Sequence, residues 1–304
     1  MALSISSEAH SSGVHEGRQA APAWARSFLF VPADRPERIA KAWASGADAV
    51  IVDLEDAIAP AAKDAARAAL ASALTPARPI VVRINAATSP WFAEDLRLCG
   101  MPGVGAVMLP KAEDASALRD LLAAIADTTV ILPLVETARG LWNALELAHV
   151  QRVQRLAFGP LDFQLDLGIS SEEDELAIFR AQLVLASRVA EVLSPIDGPT
   201  TAIHDVERVR SDTLRARRTG FGAKLGIHPQ QIGVINAAFD PGAEEAAWAQ
   251  RIMAAAQEAQ GGAFAMDGKM VDQPVLARAQ RILLQCRDRD AAVRAGSLLP
   301  GSHR

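Results

Sequence analysis

Six short apolar runs in this sequence end in polar groups of the kinds that do chemistry. They are Asp53-Leu54-Glu55-Asp56, Arg83-Ile84-Asn85, Pro110-Lys111, Glu136-Thr137, Phe158-Gly159-Pro160-Leu161-Asp162 and Lys224-Leu225-Gly226-Ile227-His228-Pro229-Gln230. Glu136 and Asp162 close successive runs, so their carboxylates can converge. Two carboxylates without histidine or thiolate support suit a hard ion such as Mg²⁺, with waters and substrate oxygens filling its remaining sites. An arginine partner for Glu136 and a turn cap at Asp162 would use the same residues. Arg83 follows an apolar strand and is expected to point inward, where beside a metal it would grip a substrate carboxylate in bidentate fashion. A salt bridge to Asp53 or Glu55 is the alternative, and both hold together in a free protein. Lys111 and Lys224 near strand ends leave a Schiff-base aldolase open, in which a desolvated amine attacks a carbonyl. Near the N-terminus, Phe30-Val31-Pro32-Ala33-Asp34-Arg35 leads into a helix carrying Arg38 and Lys41. A helix start with basic neighbours takes phosphate, although an ordinary solvated face reads the same way.

Composition narrows these choices. The 304 residues carry a net charge of −5, which argues against a non-specific nucleic-acid binder. Only five of the 31 basic residues are lysines, so each lysine can be weighed singly. Of six histidines, His10, His15 and His303 fall in tails, which leaves His149, His204 and His228 and disfavours a histidine-clustered metal site. Cys99 and Cys286 are too few for a disulfide framework or a thiolate zinc cage. No uncharged run reaches the roughly 18–20 residues of a membrane span. The first 25 residues lack a basic start and an apolar stretch, so no signal peptide is read. The expectation is a soluble cytoplasmic α/β protein.

The elements that must position these groups alternate along the chain. Strands are expected at 28–31, 49–53, 80–85, 106–110, 130–136 and 156–159, with weaker ones at 196–200 and 223–228. Helical patterns lie at 36–45, 60–74, 90–99, 115–126, 138–149, 172–193 and 206–219. Strands as apolar as 49–52 and 130–135 suit a parallel sheet covered on both faces. Eight strand–helix repeats in about 220 residues imply a (β/α)₈ TIM barrel. No Gly-x-Gly-x-x-Gly follows the first strand to support a doubly wound sheet. Beyond the eighth strand, 242–260 reads as a helix, 261–270 as a glycine-rich connection and 272–285 as another helix. The expected organisation is a flexible segment 1–25, a barrel domain 26–240 and a C-terminal helical lid or oligomerisation extension 241–304.

An ordered set of motifs carries a family resemblance. Ser27-Phe28-Leu29-Phe30-Val31-Pro32, Asp53-Leu54-Glu55-Asp56-Ala57, Val82-Arg83-Ile84-Asn85, Leu109-Pro110-Lys111 and Glu136-Thr137-Ala138 come first. Phe158-Gly159-Pro160-Leu161-Asp162, Gly226-Ile227-His228-Pro229-Gln230 and Asp267-Gly268-Lys269-Met270-Val271-Asp272 follow. Over about residues 26–284 the chain resembles the citrate lyase beta-subunit-like proteins of the HpcH/HpaI aldolase superfamily, which includes malyl-CoA and citramalyl-CoA lyases. The resemblance implies a barrel, a divalent metal, usually Mg²⁺, and cleavage of a 3-hydroxyacyl-CoA to acetyl-CoA and a 2-oxo acid. It makes Glu136 and Asp162 metal ligands and Arg83 the clamp on the keto-acid carboxylate. Phe30, Arg35 and Lys41 match positions that meet coenzyme A. Asp272 matches an acid/base aspartate supplied by a neighbouring subunit's lid, in oligomers that are commonly trimers or dimers of trimers. Gly261 and Gly262 would let that lid swing. On the residues alone, an N-cap at Asp272 is the other reading, and a non-catalytic CoA-ester binding protein is a further one.

Overall fold

The computed structural model describes residues 20–170, 174–258 and 263–297. Eight parallel strands close into a barrel in chain order: β1 (Ser27–Pro32), β2 (Ala49–Asp53), β3 (Ile80–Arg83), β4 (Val104–Leu109), β5 (Val130–Val135), β6 (Ala157–Phe158), β7 (Ile196–Asp197) and β8 (Ala223–Gly226). β8 pairs back onto β1, with Phe28 opposite Leu225. The helices around it are α1 (Glu37–Ala44), α2 (Lys63–Ala73), α3 (Phe92–Cys99), α4 (Ala115–Ala124), α5 (Ala138–Trp142), α6 (Ala144–Ala148), α7 (Pro160–Leu167), α8 (Ala177–Val189), α9 (Val206–Arg218) and α10 (Pro229–Phe239). This is a (β/α)₈ TIM barrel. Among the described residues no helix is long and apolar enough to cross a membrane.

Strand parity divides the core. Phe28, Ile51, Val81, Met108, Leu132 and Leu225 point inward and fill the barrel. Leu29, Val50, Val82, Val107 and Ile131 point outward and pack under the helices. Because both faces are buried, the strands are apolar throughout, and a polar residue in them stands out. One inward position further along the same strands, two residues on, lie Phe30, Asp53 and Arg83. Asp53 and Arg83 are register partners on neighbouring strands. The barrel's packed interior thus gives way to polar groups at the C-terminal ends of its strands, the end where TIM barrels place their sites.

Several expectations are corrected. Residues 20–25 were expected to be part of a loose segment. Instead Ala20, Ala21 and Ala25 are buried against the barrel's interior cluster at its N-terminal end. Arg155 donates to the carbonyls of Ala23 and Ala25, and Gln154 to that of Ala21. The helix expected at 138–149 breaks at Asn143, whose side chain donates to the Glu113 carbonyl. Two helices were not anticipated, α7 and α10. α7 is only eight residues long, begins at Pro160 and stops at Gly168, which has a left-handed φ of 70°. α10 starts from a capping box between His228 and Gln231.

Beyond the barrel, α11 (Ala243–Glu258), β9 (Phe264–Met266), β10 (Lys269–Val271) and α12 (Gln273–Ser297) gather a separate apolar cluster that includes Ala249, Ile252, Val271, Ala279 and Ile282. The stretch 261–270, expected to be a plain connection, contains an antiparallel hairpin. Its two-residue turn is Asp267-Gly268, both at positive φ (51° and 73°), the geometry that asparagine–glycine and aspartate–glycine pairs favour. Gly261 and Gly262, expected to act as the hinge, lie outside the described residues. Arg217 on α9 bonds Glu245 on α11 at 2.6 Å and ties this unit to the barrel.

Candidate active site

Parity and register bring four of the expected groups to the mouth of the barrel. Arg83 Nε and Nη2 both donate to Asp53, at 2.7 Å each. Arg83 Nη1 lies 3.0 Å from Glu55 and 3.3 Å from Asp56. The guanidinium stacks on the Phe30 ring at 4.8 Å. The inward orientation is therefore as expected, and so is the ion pair with the Asp53–Glu55 segment. Asp53 takes Nε–H and one Nη2 hydrogen, and Nη1 faces Glu55 and Asp56, so the second Nη2 hydrogen is left for a ligand oxygen. Burial opposes the charge of Arg83, but Asp53, Glu55 and Asp56 outweigh it and hold the guanidinium above its ordinary pKa.

Glu136 is 2% exposed at the end of β5. Its Oε1 accepts from the Lys111 backbone N–H at 2.7 Å. Burial, reinforced by the charges of Glu55 and Asp162, pushes its pKa up to about 8. Gly159 makes room for this carboxylate, because a β-carbon there would lie 2.6 Å from Glu136 Oε2. Asp162 sits elsewhere than expected. It does not end a strand but occupies the first turn of α7, which points that turn at the end of β5. Asp166, one turn later, accepts from the Ala138 N–H at 2.7 Å and fastens α7 to the chain just past Glu136. A buried carboxylate whose ionisation is opposed by two others, in a cradle opened by a glycine, fits a hard divalent cation. Among the described residues no set of three or more metal-binding side chains converges, and Glu136 and Asp162 are the pair that could hold such an ion.

Lys111 and Lys224 part company. Lys111 Nζ is 2.8 Å from Glu55 and 3.8 Å from Glu136 at the mouth. Burial pulls its pKa down, but those carboxylates outweigh it and hold the ammonium above its ordinary value. That is the reverse of what an imine-forming amine needs. Lys224 points outward from β8 into the layer under the helices. There it donates to Gly198 O at 2.6 Å and pairs with Asp197, which also takes Arg180 of α8. Burial lowers its pKa as a Schiff-base lysine would require, but parity turns it away from the mouth. Neither lysine thus combines the position and the lowered pKa that a Schiff-base aldolase needs.

Sequence reasoning overlooked Lys63. It is buried on α2, and its Nζ donates to Leu54 O, Glu55 O and Asn85 Oδ1 at 2.7, 2.7 and 2.6 Å. Asn85 is held in turn by Asp95, at 2.6 Å from Nδ2. This cation fixes the loop that aims Glu55. The scarcity of lysine was the available signal, and it was masked because a lysine on a helix usually reads as solvated.

The remaining expected residues lie apart. Arg35, in the loop after β1, and Lys41, in the last turn of α1, are both exposed. Asp272 is exposed just before α12, and its Oδ1 accepts from Val275 N at 3.4 Å. That is the N-cap position. His228 caps α10, and its ring lies 5.9 Å from that of His204, edge to face.

Comparison with known proteins gives this mouth its context. The HpcH/HpaI aldolase/citrate lyase family model matches residues 26–229. A citrate lyase subunit beta-like protein of Mycobacterium tuberculosis is 40% identical over 273 residues, 88% of this chain and 96% of its own. The (3S)-malyl-CoA thioesterase of Cereibacter sphaeroides is 33% identical over 266 residues, 85% of this chain and 93% of its own. The crystal structure of the protein CitE from Mycobacterium tuberculosis, in complex with magnesium, acetoacetate and coenzyme A, aligns with a TM-score of 0.78 at 39% identity. That alignment covers 87% of this chain and 99% of that one. With two thirds of its length matched by the family model and most of it aligned to these relatives, the chain belongs to the HpcH/HpaI aldolase/citrate lyase family.

Proposed function

We propose that this protein is a Mg²⁺-dependent carbon–carbon lyase. It cleaves, or forms, a 3-hydroxyacyl-CoA such as malyl-, citramalyl- or citryl-CoA, giving acetyl-CoA and a 2-oxo acid. The observation that carries this reading is the buried Glu136 carboxylate beside Asp162, facing a barrel mouth that also holds Arg83. The relative crystallised with magnesium, acetoacetate and coenzyme A supports the ligand classes.

Glu136 and Asp162 would hold Mg²⁺, which as a Lewis acid polarises the oxygens of the 2-oxo acid. Arg83 grips the carboxylate of that acid and fixes its orientation, with Phe30 and Asp53 keeping the guanidinium flat and immobile. Lys111 holds Glu136 in place through its backbone N–H, while its ammonium pairs with Glu55. In cleavage the C2–C3 bond breaks as the hydroxyl gives its proton to solvent at the open mouth and becomes a carbonyl, Asp272 entering this step protonated. The electron pair stays on the acetyl-CoA fragment as an enolate. Asp272 returns a proton to that carbon, and in condensation removes one from the acetyl-CoA methyl. Arg35 and Lys41, both exposed, meet the phosphates of coenzyme A, and Phe30 lies at the inner end of the same path.

The proposed assembly is a homotrimer or hexamer in which the neighbouring subunit's Asp272 reaches this mouth. An acyl-CoA substrate and two free cysteines, Cys99 and Cys286, suit a reducing cytoplasm. The test is a panel of acyl-CoA thioesters assayed with Mg²⁺ and with EDTA, following acetyl-CoA, free CoA and keto acid separately. Mg²⁺-dependent release of acetyl-CoA with equal keto acid, lost in Asp162→Asn, is expected. Binding of acetyl-CoA with no turnover on any thioester would assign a non-catalytic CoA-ester binder instead.

A further inference from the structure

We propose that the buried Asp197–Lys224–Arg180 cluster, acting through Gly198, is the seat that positions Asp162 for its cation. These three charges stand apart from the mouth, yet they are only 0%, 2% and 4% exposed. A buried ion cluster adds little stability over apolar packing of the same volume, so what it can supply is direction. Lys224 Nζ donates to Gly198 O at 2.6 Å and to Asp197 Oδ2 at 3.3 Å. Arg180 Nε holds the other Asp197 oxygen at 3.0 Å. These bonds fix the end of β7 where the ladder is weakest. β7 has two residues, and among the described residues a single register pair, Ala157 with Ile196, joins it to β6.

The carbonyl held by Lys224 belongs to a residue without a side chain, and the reason is α7. A β-carbon on Gly198 would overlap Cδ and Cγ of Pro160 and lie 3.1 Å from Phe158 O. Gly198 is not at positive φ, so space and not backbone freedom demands glycine there. Pro160 is the first residue of α7, and Asp162 stands two residues on, in the same turn. The proline ring is closed onto its own backbone and cannot swing aside as a flexible side chain would. Whatever sets Gly198 therefore sets the helix start. A second contact runs the same way. The Arg180 guanidinium lies over the Phe158 ring at 5.4 Å, and Phe158 meets Phe163, the neighbour of Asp162, edge-on at 5.2 Å. α7 is braced on one flank by the end of β5, through Gly159 and Asp166. This cluster braces the other flank, from β7. A buried lysine turned away from the mouth thereby acquires a purpose. Lys224, Asp197, Arg180 and Gly198 are positioning residues for Asp162.

This inference rests on Glu136 and Asp162 as the metal ligands. The experiment titrates the full chain with Mn²⁺, read by electron paramagnetic resonance well below the melting temperature. The chains compared are the wild type, Asp162→Asn, Gly198→Ala, Pro160→Ala and the double variant Gly198→Ala with Pro160→Ala. Gly198→Ala is expected to bind Mn²⁺ about 10- to 100-fold more weakly, the usual loss when a group that orients a metal ligand is disturbed. Pro160→Ala alone should lose about threefold or less, and the double variant should return to within about threefold of the wild type, because the new methyl takes the space the ring leaves. Melting temperature is followed alongside. A merely structural contact would lower it and leave Mn²⁺ affinity unchanged in Gly198→Ala, which would overturn the proposal. A double variant as weak as Gly198→Ala would overturn it too, since the loss would then not pass through α7. If Gly198→Ala does not fold, Arg180→Lys decides, because it keeps a charge beside Asp197 and takes the guanidinium off Phe158. A loss of about threefold or more is then expected, and unchanged affinity would overturn the seat. A wild type that takes up no Mn²⁺, or an Asp162→Asn variant that binds it equally well, would overturn the metal site itself and the seat with it.

Discussion

Replacing Gly159 with alanine tests how tightly the candidate metal ligand is held. Gly159 has a φ of −103°, which an alanine adopts without penalty, so conformational strain is not at issue. The obstacle is space. A β-carbon at 159 would lie 2.6 Å from Glu136 Oε2 and 2.7 Å from Glu136 Cβ. The carboxylate end can rotate, but the Cβ belongs to the end of β5. The Gly159 N–H donates to the Val135 carbonyl at 2.9 Å, so the two strand ends cannot simply part. Restoring ordinary contact near 3.5 Å requires a displacement of roughly 0.8 Å. Overpacking of this kind costs about 1–3 kcal/mol, or a melting temperature lower by about 2–10 °C in a chain of this size. Moving a ligand so far out of place is expected to weaken Mg²⁺ binding about 10- to 100-fold. Isothermal titration with MgCl₂, or Mn²⁺ followed by electron paramagnetic resonance, reads the affinity directly, and a thermal melt reads the stability. Gly233→Ala on α10, where a β-carbon meets nothing within 4 Å, is the matched control and should leave Mg²⁺ affinity unchanged while raising stability by about 0.5–1 kcal/mol through helix propensity. Wild-type Mg²⁺ affinity in Gly159→Ala, with the fold intact, would refute the placement of Glu136 as a ligand.

Four further outcomes are expected. Arg83→Lys keeps the charge but loses the flat fork, so affinity for pyruvate, glyoxylate or oxaloacetate falls about 10-fold or more while acetyl-CoA binding changes much less; equal losses for both ligands in a titration would make Arg83 a structural ion pair alone. Lys224→Met strips a buried partner from Asp197 and should destabilise the fold by about 3 kcal/mol in denaturant melts. Borohydride with pyruvate should leave the wild-type mass unchanged, and a covalent adduct on either Lys111 or Lys224 would restore the Schiff-base reading. Asp272→Asn keeps a capping side chain, so stability and Mg²⁺ binding should hold while turnover is lost; co-expression with Asp162→Asn should recover part of the activity, and confirmed mixed oligomers without recovery would contradict a shared site.

The barrel was legible because its first five strands are buried on both faces and so are apolar without interruption. β6 and β7 shrink to two residues each; the first was still readable in the apolar run 156–159, while the second gave only a weak pattern. α7 escaped notice since eight residues between Pro160 and Gly168 hold barely two turns. That oversight put Asp162 on a strand end instead of on a helix. Arg83 and Glu136 could be aimed inward from parity alone. Lys224 could not, because its strand is four residues long and a one-residue slip reverses its face. The φ of 47° at Lys111 leaves no mark in a sequence that has no glycine there. Asp272 is the opposite case, since its capping geometry was readable and a role at a neighbour's site is not a property of one chain.

The alanines that close the base of the barrel have a kinetic consequence. With Ala20, Ala21 and Ala25 below and Met108, Leu132 and Leu225 packed across the middle, the barrel of the described residues is filled at that end, so the mouth would serve both arrival and departure. A small acid held against Arg83, as proposed, would lie at the bottom of that mouth, and a coenzyme tail that followed it in would block its retreat. Steady-state data should therefore show compulsory order. In the condensation direction the keto acid binds first, and the acetyl-CoA analogue acts as an uncompetitive inhibitor against it. In the cleavage direction the nucleotide-bearing product must leave before the acid can.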